Sequence, residues 1–248
     1  MYYCCGITDK GIMKHNEDAY MIDGKVITEG NIDFMVKAPF IAAVSDGVSG
    51  ENYGEIASKK CLEFLSQIDF NSETDLKKAL NVHHNLYDYG IQDNKTKNMQ
   101  ATLCAIAIDE NDNLNTVNVG DSRMYRYRRG NIKQISRDQS LVQLLYEEGT
   151  ITADEKKHHV HKNIIFPVMG NISAEPKPDI KNLNEIMKYG DLILICSDGL
   201  SDYVSCTEME DILDLPAKLP KRLERLVKLA IDNGSQDNIT IIALCCYD

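Results

Sequence analysis

Apolar residues along this chain fall into short runs that follow either the two-residue period of a strand or the three-to-four-residue period of a helix. Eight runs are rich in Val, Ile, Tyr or Thr and are bounded by Gly, Asn or Asp, which predicts β-strands. The predicted strands are Tyr2–Ile7, Ala19–Asp23, Phe40–Ser45, Ala101–Asp109, Asn113–Val119, Arg123–Arg128, Leu192–Ser197 and Ile239–Tyr247. Turn-forming residues at Glu110–Asn113 and at Arg129–Asn131 predict two hairpins.

Helical periodicity is confined to a few segments between these runs. The predicted helices are Glu55–Ile68, Thr74–Ile91, Pro220–Ile231 and the shorter Leu141–Glu148. Runs of strands interrupted by helices predict an α+β layered fold, with sheets inside and helices outside. A chain of 248 residues is long enough to build it as a single domain, 1–248.

Charge and cysteine usage exclude several classes of protein. The net charge of −11 argues against a surface for nucleic acid or anionic membranes. The 8 cysteines form no Cys-x-x-Cys pair and mostly lie in apolar runs, which indicates buried thiols in the reducing cytosol. No signal-like N-terminus and no run of about 18 apolar residues is present, so we expect no membrane segment.

Acidic residues flank the most apolar predicted strands. Asp46, Asp121 and Asp198 follow strands, and Asp237 precedes one. In an antiparallel sheet the start of one strand lies beside the end of its neighbour, so all four are expected at one rim. Carboxylates gathered there raise one another's pKa unless a cation neutralises them. Hard divalent cations prefer oxygen ligands, so this pattern predicts a metal-dependent hydrolase.

One Asp-Gly pair after a strand is weak evidence, because such pairs are common at turns. Two Ser-Asp-Gly units, at 45–47 and 197–199, combined in this order with Asn16-Glu17-Asp18, Gly120-Asp121-Ser122-Arg123 and Asp237-Asn238, make coincidence improbable. The ordered set resembles the metal-dependent protein phosphatases of type 2C, the PPM family, in their compact bacterial form. The matching stretches are Gly6–Tyr20, Ala42–Ser58, Asn118–Leu145, Asp191–Val204 and Asn233–Ala243.

The resemblance implies a four-layer α-β-β-α sandwich with two central, mainly antiparallel sheets. It also implies two Mn²⁺ or Mg²⁺ ions, with a possible third, in a cleft at one end. The segment 136–171 matches the flap that is thought to help this family choose its substrates. A plain surface insertion is an equally good interpretation of that segment.

The resemblance also implies a role for individual residues. Asp46 would bridge both ions, and Asp198 and Asp237 would hold the second ion. Asp121, together with Asp198, matches a weaker third-metal site of bacterial relatives. The remaining candidates are the Gly47 carbonyl as a ligand, Glu17 and Asp18 around the first ion, and Asn238 as the residue that orients Asp237 by hydrogen bonding.

The implied chemistry is hydrolysis of phosphoserine and phosphothreonine by a hydroxide. Water between two divalent ions loses a proton near neutral pH and attacks phosphorus in line. No phosphoenzyme is needed, and the Cys-x5-Arg spacing of a thiol phosphatase is absent. The natural counterpart of such an enzyme would be a bacterial Ser/Thr kinase, and its substrates would be phosphorylated proteins.

Two positions depart from the family. An Arg that grips the substrate phosphate is expected four residues before Glu17, where this chain has Met13, and we therefore expect small phosphate esters to bind weakly. After Gly47 stands Val48, where animal relatives carry a His proposed as the general acid. The alternative proton donors are metal-bound water and the flap histidines, His158, His159 and His161. An exposed flap turn is a better interpretation of these histidines than a Zn²⁺ site.

Two other functions compete with this interpretation. A non-catalytic phosphoprotein-binding module of the same fold would be expected to lose metal carboxylates, but Asp46, Asp198 and Asp237 are all present. A phosphatase dedicated to one regulatory partner would share the chemistry. The long flap favours broader, kinase-linked substrates over that alternative.

Overall fold

The computed structural model of the chain describes residues 1–48, 53–68, 78–183 and 186–247. These residues contain twelve strands: β1 (Tyr2–Asp9), β2 (Asp18–Ile22), β3 (Lys25–Ile27), β4 (Gly30–Val36), β5 (Phe40–Asp46), β6 (Leu103–Ile108), β7 (Leu114–Val119), β8 (Arg123–Arg128), β9 (Asn131–Gln134), β10 (Asp179–Asn182), β11 (Leu192–Cys196) and β12 (Ile239–Cys246). They also contain seven helices: α1 (Gly54–Leu65), α2 (Ala79–Gly90), α3 (Leu141–Glu147), α4 (Ala153–His158), α5 (Asp198–Ser201), α6 (Cys206–Leu213) and α7 (Leu219–Asp232).

The strands form two six-stranded sheets. The first has the order β4-β1-β12-β11-β8-β9 and the second has the order β10-β7-β6-β5-β2-β3. All pairings within the described residues are antiparallel. The pairs β6–β7 and β8–β9 are the two predicted hairpins.

The two sheets pack face to face, and helices cover both outer faces. The side chains of β2 show this arrangement, because successive side chains of a strand point to opposite faces of the sheet. Tyr20 and Ile22 lie in the core between the sheets, where Ile193 and Ile242 of the first sheet also lie. Met21 lies in the core on the other face, under α1 and α2.

A third buried cluster lies between the first sheet and the helices α5, α6 and α7. It joins Leu194 and Ile241 of the sheet to Met209 of α6 and to Leu226 of α7. The three clusters separate four layers in the order helix, sheet, sheet, helix, which confirms the predicted α-β-β-α sandwich.

The strands that sequence periodicity leaves out share one property. All eight predicted strands are present, within two residues at either end, whereas β3, β4, β9 and β10 were missed. These four strands are the edges of the two sheets. An edge strand covers little of the core, so its side chains are largely solvated and no apolar run marks it.

The predicted helices differ from the observed ones mainly in length. The Thr74–Ile91 prediction begins outside the described residues, and α2 is described from Ala79 to Gly90. The short helices α4, α5 and α6 were missed, since helices of 6, 4 and 8 residues give too few turns to show a period. No helix in the described segments is long and apolar enough to span a bilayer.

The flap, residues 136–171, leaves the sandwich after β9 and contains α3 and α4. Its two ends are tied to the body of the protein. Isolated bridges join Ser140 to Ile165 at its base and Met169 to Ala101 at its return. Asn171 donates to Gln100 Oε1 at 2.8 Å.

Packing of α7 predicts a large difference between two substitutions in one helix. Leu226 is 0% exposed, so Leu226→Ala leaves a cavity and should lower the free energy of unfolding by about 3 kcal/mol. Ile231→Ala, at a position that is 38% exposed, is the control and should cost less than about 1 kcal/mol. Urea unfolding of the metal-free protein measures both. Equal costs would contradict the packing described for this helix.

Candidate metal centre

The strand ends that carry the predicted acidic residues meet at one end of the sandwich. β5 ends at Asp46, and β2 begins at Asp18, directly opposite it in the register. β11 ends two residues before Asp198 and pairs there with the beginning of β12, which follows Asp237. Asp121 lies in the turn between β7 and β8. Both sheets therefore contribute carboxylates to the same rim.

The carboxyl groups at this rim are close enough to act on one another. Burial raises the pKa of Asp46 well above its usual range, and the charges of Asp18, Asp198, Asp237 and Asp121 raise it further. Burial also raises the pKa of Asp198 far above its usual range, followed by the charges of Asp121 and Asp237. Keeping these buried groups ionised requires compensating positive charge.

Asp18 and Asp121 are held at opposite sides of this group. Burial raises the pKa of Asp18 to about 6, although hydrogen bonds from Thr240 and Ser197 oppose the shift. The Ser197 hydroxyl donates to Asp18 Oδ2 at 2.7 Å, which links β2 to the turn after β11. Burial also raises the pKa of Asp121 to about 6, helped by Asp138 and opposed by Arg123.

One atom of the cluster has no hydrogen-bond partner within the described residues. Asp198 Oδ1 is buried and unpaired, an unfavourable state for a carboxylate oxygen unless an ion satisfies it. In the described chain, no three acidic, histidine or cysteine side chains are arranged to hold one ion by themselves. Mg²⁺ commonly takes one or two carboxylates and keeps several waters, so this arrangement still fits hard divalent cations.

Glycines follow Asp46 and Asp198 because the chain has no room for a side chain there. A Cβ on Gly47 would lie 2.2 Å from the carbonyl oxygen of Gly54, and one on Gly199 would lie 2.0 Å from that of Asn238. Neither glycine has the positive φ that a turn would explain. Close approach of another backbone segment, rather than turn geometry, therefore accounts for the glycine in each Ser-Asp-Gly unit.

Asn238 connects the rim to the loop at residues 10–16. Its side-chain amide donates to the carbonyl oxygens of Lys10 and His15 at 3.0 and 2.9 Å, and its Oδ1 accepts from the Glu17 N–H at 2.8 Å. Its backbone N–H donates to Asp237 Oδ1 at 2.8 Å. The contact with Asp237 thus comes from the main chain, and the side chain fixes the loop that precedes Glu17.

Three residues near the rim were missed by sequence reasoning. Asp202 lies one helical turn beyond Asp198, and its charge raises the pKa of both Asp198 and Asp237. Arg123 forms two-pronged hydrogen bonds with buried Asp138 at 2.9–3.1 Å and donates to Asp202 at 3.4 Å. For Asp202 the sequence does hold a signal, because its i, i+4 spacing from Asp198 places the two side chains on one face of a helix. No local signal marks the pairing of Arg123 with Asp138, which come from different elements.

A cavity of 460 Å³ opens beside the carboxylates. Asp121, Asp198, Asp202 and Tyr203 of the body line it, and the flap supplies three lysines: Lys156, Lys157 and Lys162. The cavity therefore joins the carboxylate rim to the flap and is lined by groups of both charges.

The flap histidines belong to no described group that could hold a metal. His158 ends α4, and the rings of His159 and His161 lie 5.6 Å apart, tilted against each other. His159 Nδ1 accepts from the His161 N–H at 3.1 Å, a contact within the turn after the helix.

Comparison with known proteins shows the family. The model of the family described as protein phosphatase 2C matches residues 30–238. The chain is 31% identical over 246 residues to the serine/threonine phosphatase stp of Listeria welshimeri, covering 95% of this chain and 92% of that protein. It is 30% identical to the serine/threonine protein phosphatase PstP of Mycobacterium tuberculosis over 91% of this chain, which spans only 44% of the length of PstP.

Solved structures agree with the fold. The serine/threonine phosphatase of S. agalactiae superposes with a TM-score of 0.84 at 27% identity, over 100% of both chains. The catalytic domain of PstP, solved in complex with two manganese ions, superposes with a TM-score of 0.78 at 26% identity, also over 100% of both chains. With its sandwich, its ordered acidic motifs and these matches, the chain belongs to the protein phosphatase 2C family.

Proposed function

We propose that this chain hydrolyses phosphoserine and phosphothreonine in proteins with the help of divalent metal ions. The observation that carries the proposal is the convergence of partly buried, mutually repelling carboxylates on one rim, with Asp198 Oδ1 left without a hydrogen-bond partner among the described residues. Relatives named serine/threonine phosphatases support a catalytic protein over a binding module. A binding module would have no use for this concentration of negative charge.

The resemblance to the family, together with the positions of these residues at the rim, indicates which of them would hold the ions. We propose that Asp46, the Gly47 carbonyl, Asp198 and Asp237 would hold two ions, with Asp46 serving both and with Asp198 and Asp237 serving the second, and that Asp121 with Asp198 would form a weaker third site. Mn²⁺ and Mg²⁺ both suit these oxygen donors. Bound there, the ions would lower the pKa of a water between them and neutralise charge on the phosphoryl oxygens.

The surrounding residues would keep the ligands in place. Asp18 is held by the Ser197 hydroxyl, and therefore fixes the turn that leads into Asp198. The Asn238 N–H orients Asp237, and the Asn238 side chain sets the path of the chain into Glu17. These contacts limit the freedom of the carboxylates before any ion binds.

We extend the proposal to the context of the reaction. Residues 1–248 would act as one phosphatase domain, because both sheets share the core between them. The partners would be phosphorylated proteins and a bacterial Ser/Thr kinase that supplies them. The 8 cysteines are all free, which favours the reducing cytosol as the compartment.

Removing one charge from the rim should have opposite effects on activity and stability. Asp198→Asn keeps the shape but loses a metal ligand, so hydrolysis of a phosphothreonine peptide with Mn²⁺ should fall at least about 100-fold. The same substitution relieves repulsion, so the metal-free protein should melt at least about 2 °C higher. Calorimetric melting with and without Mn²⁺ should also show that the ion stabilises the wild type more than the variant.

Asp211→Asn is the matched control, because Asp211 is an exposed residue of α6. It should leave activity and both melting temperatures unchanged. Wild-type activity that persists in EDTA would contradict the metal mechanism. Binding of the phosphopeptide without any turnover by the Mn²⁺-loaded wild type would favour the binding module instead.

Met13 gives a second test of the site. It lies 37% exposed in the loop that Asn238 fixes beside Asp237, so an Arg there would project from the rim. Met13→Arg should lower KM for a small aryl phosphate about 5- to 10-fold, the value of one charge-assisted hydrogen bond.

Ile12→Arg places the same charge on the neighbouring residue of that loop and is the control. Its effect on KM should be less than about twofold, because Ile12 is a central residue of the turn that the Met13 N–H closes by donating to the Lys10 carbonyl at 3.1 Å, so its side chain leaves the loop in a different direction. An unchanged KM for Met13→Arg, or equal changes for both variants, would refute the account of this position.

A further inference from the structure

The flap carries a lysine that faces the carboxylate rim across the cavity. Lys162 lies in the turn after α4, and its Nζ is 3.1 Å from Asp202 Oδ2. Lys162 lines the same cavity as Asp198. We propose that Lys162 exchanges Asp202 for the phosphoryl oxygens of the phosphorylated substrate and so supplies a cation that binds the phosphate. The inference rests on the proposed function and names a substrate-binding residue for it.

The contact with Asp202 places Lys162 beside the rim, because Asp202 directly follows the one-turn helix α5 that begins at Asp198. Its positive charge lowers the pKa of Asp237, against the larger opposing effect of burial. The negative charge of Asp198 is in turn among the groups that raise the pKa of Lys162. The ammonium group therefore lies within electrostatic range of both residues that we assign to the second ion, where a substrate phosphate would be held.

Lys162 keeps its positive charge in this environment. Burial disfavours the ammonium form, but Asp202, Tyr203 and Asp198 outweigh it, so the pKa of Lys162 is raised. The Nζ also lies 5.5 Å from the centroid of the Tyr203 ring. A charged ammonium offers three donors on a flexible stem, which suits movement from one oxygen ligand to another.

The exchange leaves Asp202 with a partner. Asp202 Oδ1 also accepts from Arg123 Nη2 at 3.4 Å, so the departure of Lys162 does not strand an unpaired carboxylate. Arg123 is itself fixed, because it bonds to Asp138 and donates to the Ser201 carbonyl at 2.9 Å. Breaking this salt bridge therefore costs little free energy, because the Lys162 side chain is 36% exposed and solvent screens the pair.

The other cations along the cavity are less suited to the same task. Arg123 makes three hydrogen bonds to the buried carboxylate of Asp138, so moving it would remove the main partner of that charge. Lys156 bonds to Asp138 at 3.2 Å and also to the Gln143 side chain, so moving it would break two contacts. Lys157 is exposed, and its charge acts to lower the pKa of the Cys206 thiol at the start of α6. Among the described residues that line the cavity, Lys162 alone combines freedom to move with proximity to Asp198 and Asp237.

Kinetics on the Mn²⁺-loaded enzyme test the assignment. Lys162→Ala should raise KM for a phosphothreonine peptide about 10-fold and leave kcat within about threefold, as expected for the loss of one charge-assisted hydrogen bond to the bound phosphate. Lys162→Arg should restore KM to within about threefold of the wild type. Lys157→Ala removes the same charge from the same flap, and should change KM less than about twofold.

A binding measurement separates this inference from the proposed function. Inorganic phosphate titrated calorimetrically into the Mn²⁺-loaded protein should bind about 10-fold more weakly to Lys162→Ala than to the wild type, and this needs no turnover. A wild type that binds phosphate but fails to hydrolyse the peptide would refute the proposed function and leave the role of Lys162 to be decided by the titration.

Other outcomes would overturn the inference alone. If the wild type hydrolyses the peptide and Lys162→Ala retains both its KM and its phosphate affinity, Lys162 does not bind the phosphate. A Lys162→Ala variant with a higher kcat/KM would show that the lysine obstructs the cavity. Equal losses in Lys162→Ala and Lys157→Ala would indicate general attraction by flap charge.

The loop at residues 10–16 supplies a further control. If Lys162 provides the cation for the phosphate, an Arg introduced at Met13 should make it partly dispensable. The fold-increase in KM for the phosphothreonine peptide that Lys162→Ala causes should then be at least about three times smaller in the Met13→Arg background than in the wild type. Strictly multiplicative effects would indicate that the two positions act on different groups.

Discussion

Repulsion among partly buried carboxylates at one end of the sandwich is the constraint on which the rest of this structure depends. Asp46 and Asp198 are half-buried, and the charges of neighbouring carboxylates raise the pKa of each beyond the effect of burial. Such a cluster lowers the stability of the metal-free chain and creates a strong demand for cations. Packing in the hydrophobic cores on either side of both sheets must offset that repulsion. Ions bound at the rim would remove the repulsion and so stabilise the folded protein.

The rim is organised by contacts that join distant parts of the chain. The Ser197 hydroxyl bonds Asp18 across 179 positions of sequence, and the Asn238 side chain holds the loop that leads into Glu17. Two glycines allow backbones to meet where any side chain would collide. These contacts hold the rim carboxylates in place, so that the proposed ion sites would need little reorganisation.

The flap is tied to the same centre through charge. Arg123 starts β8 directly after the turn that carries Asp121, and it binds both Asp138 at the base of the flap and Asp202 beyond Asp198. Lys162 contacts Asp202 from the flap, with its Nζ 3.1 Å from Asp202 Oδ2. The flap and the carboxylate rim are therefore linked through Asp202, a residue that belongs to neither the flap nor the sheets.

The sequence by itself determined the eight central strands, the layered α+β class and the acidic residues at the rim. It could do so because core strands must be apolar and because the motifs are local in the chain. It missed the four edge strands, whose solvated side chains carry no apolar period, and the short helices around the rim. Only the tertiary structure decided that Asp202, Arg123, Asp138 and Lys162 surround one cavity, because their proximity arises from packing between elements that are far apart in sequence.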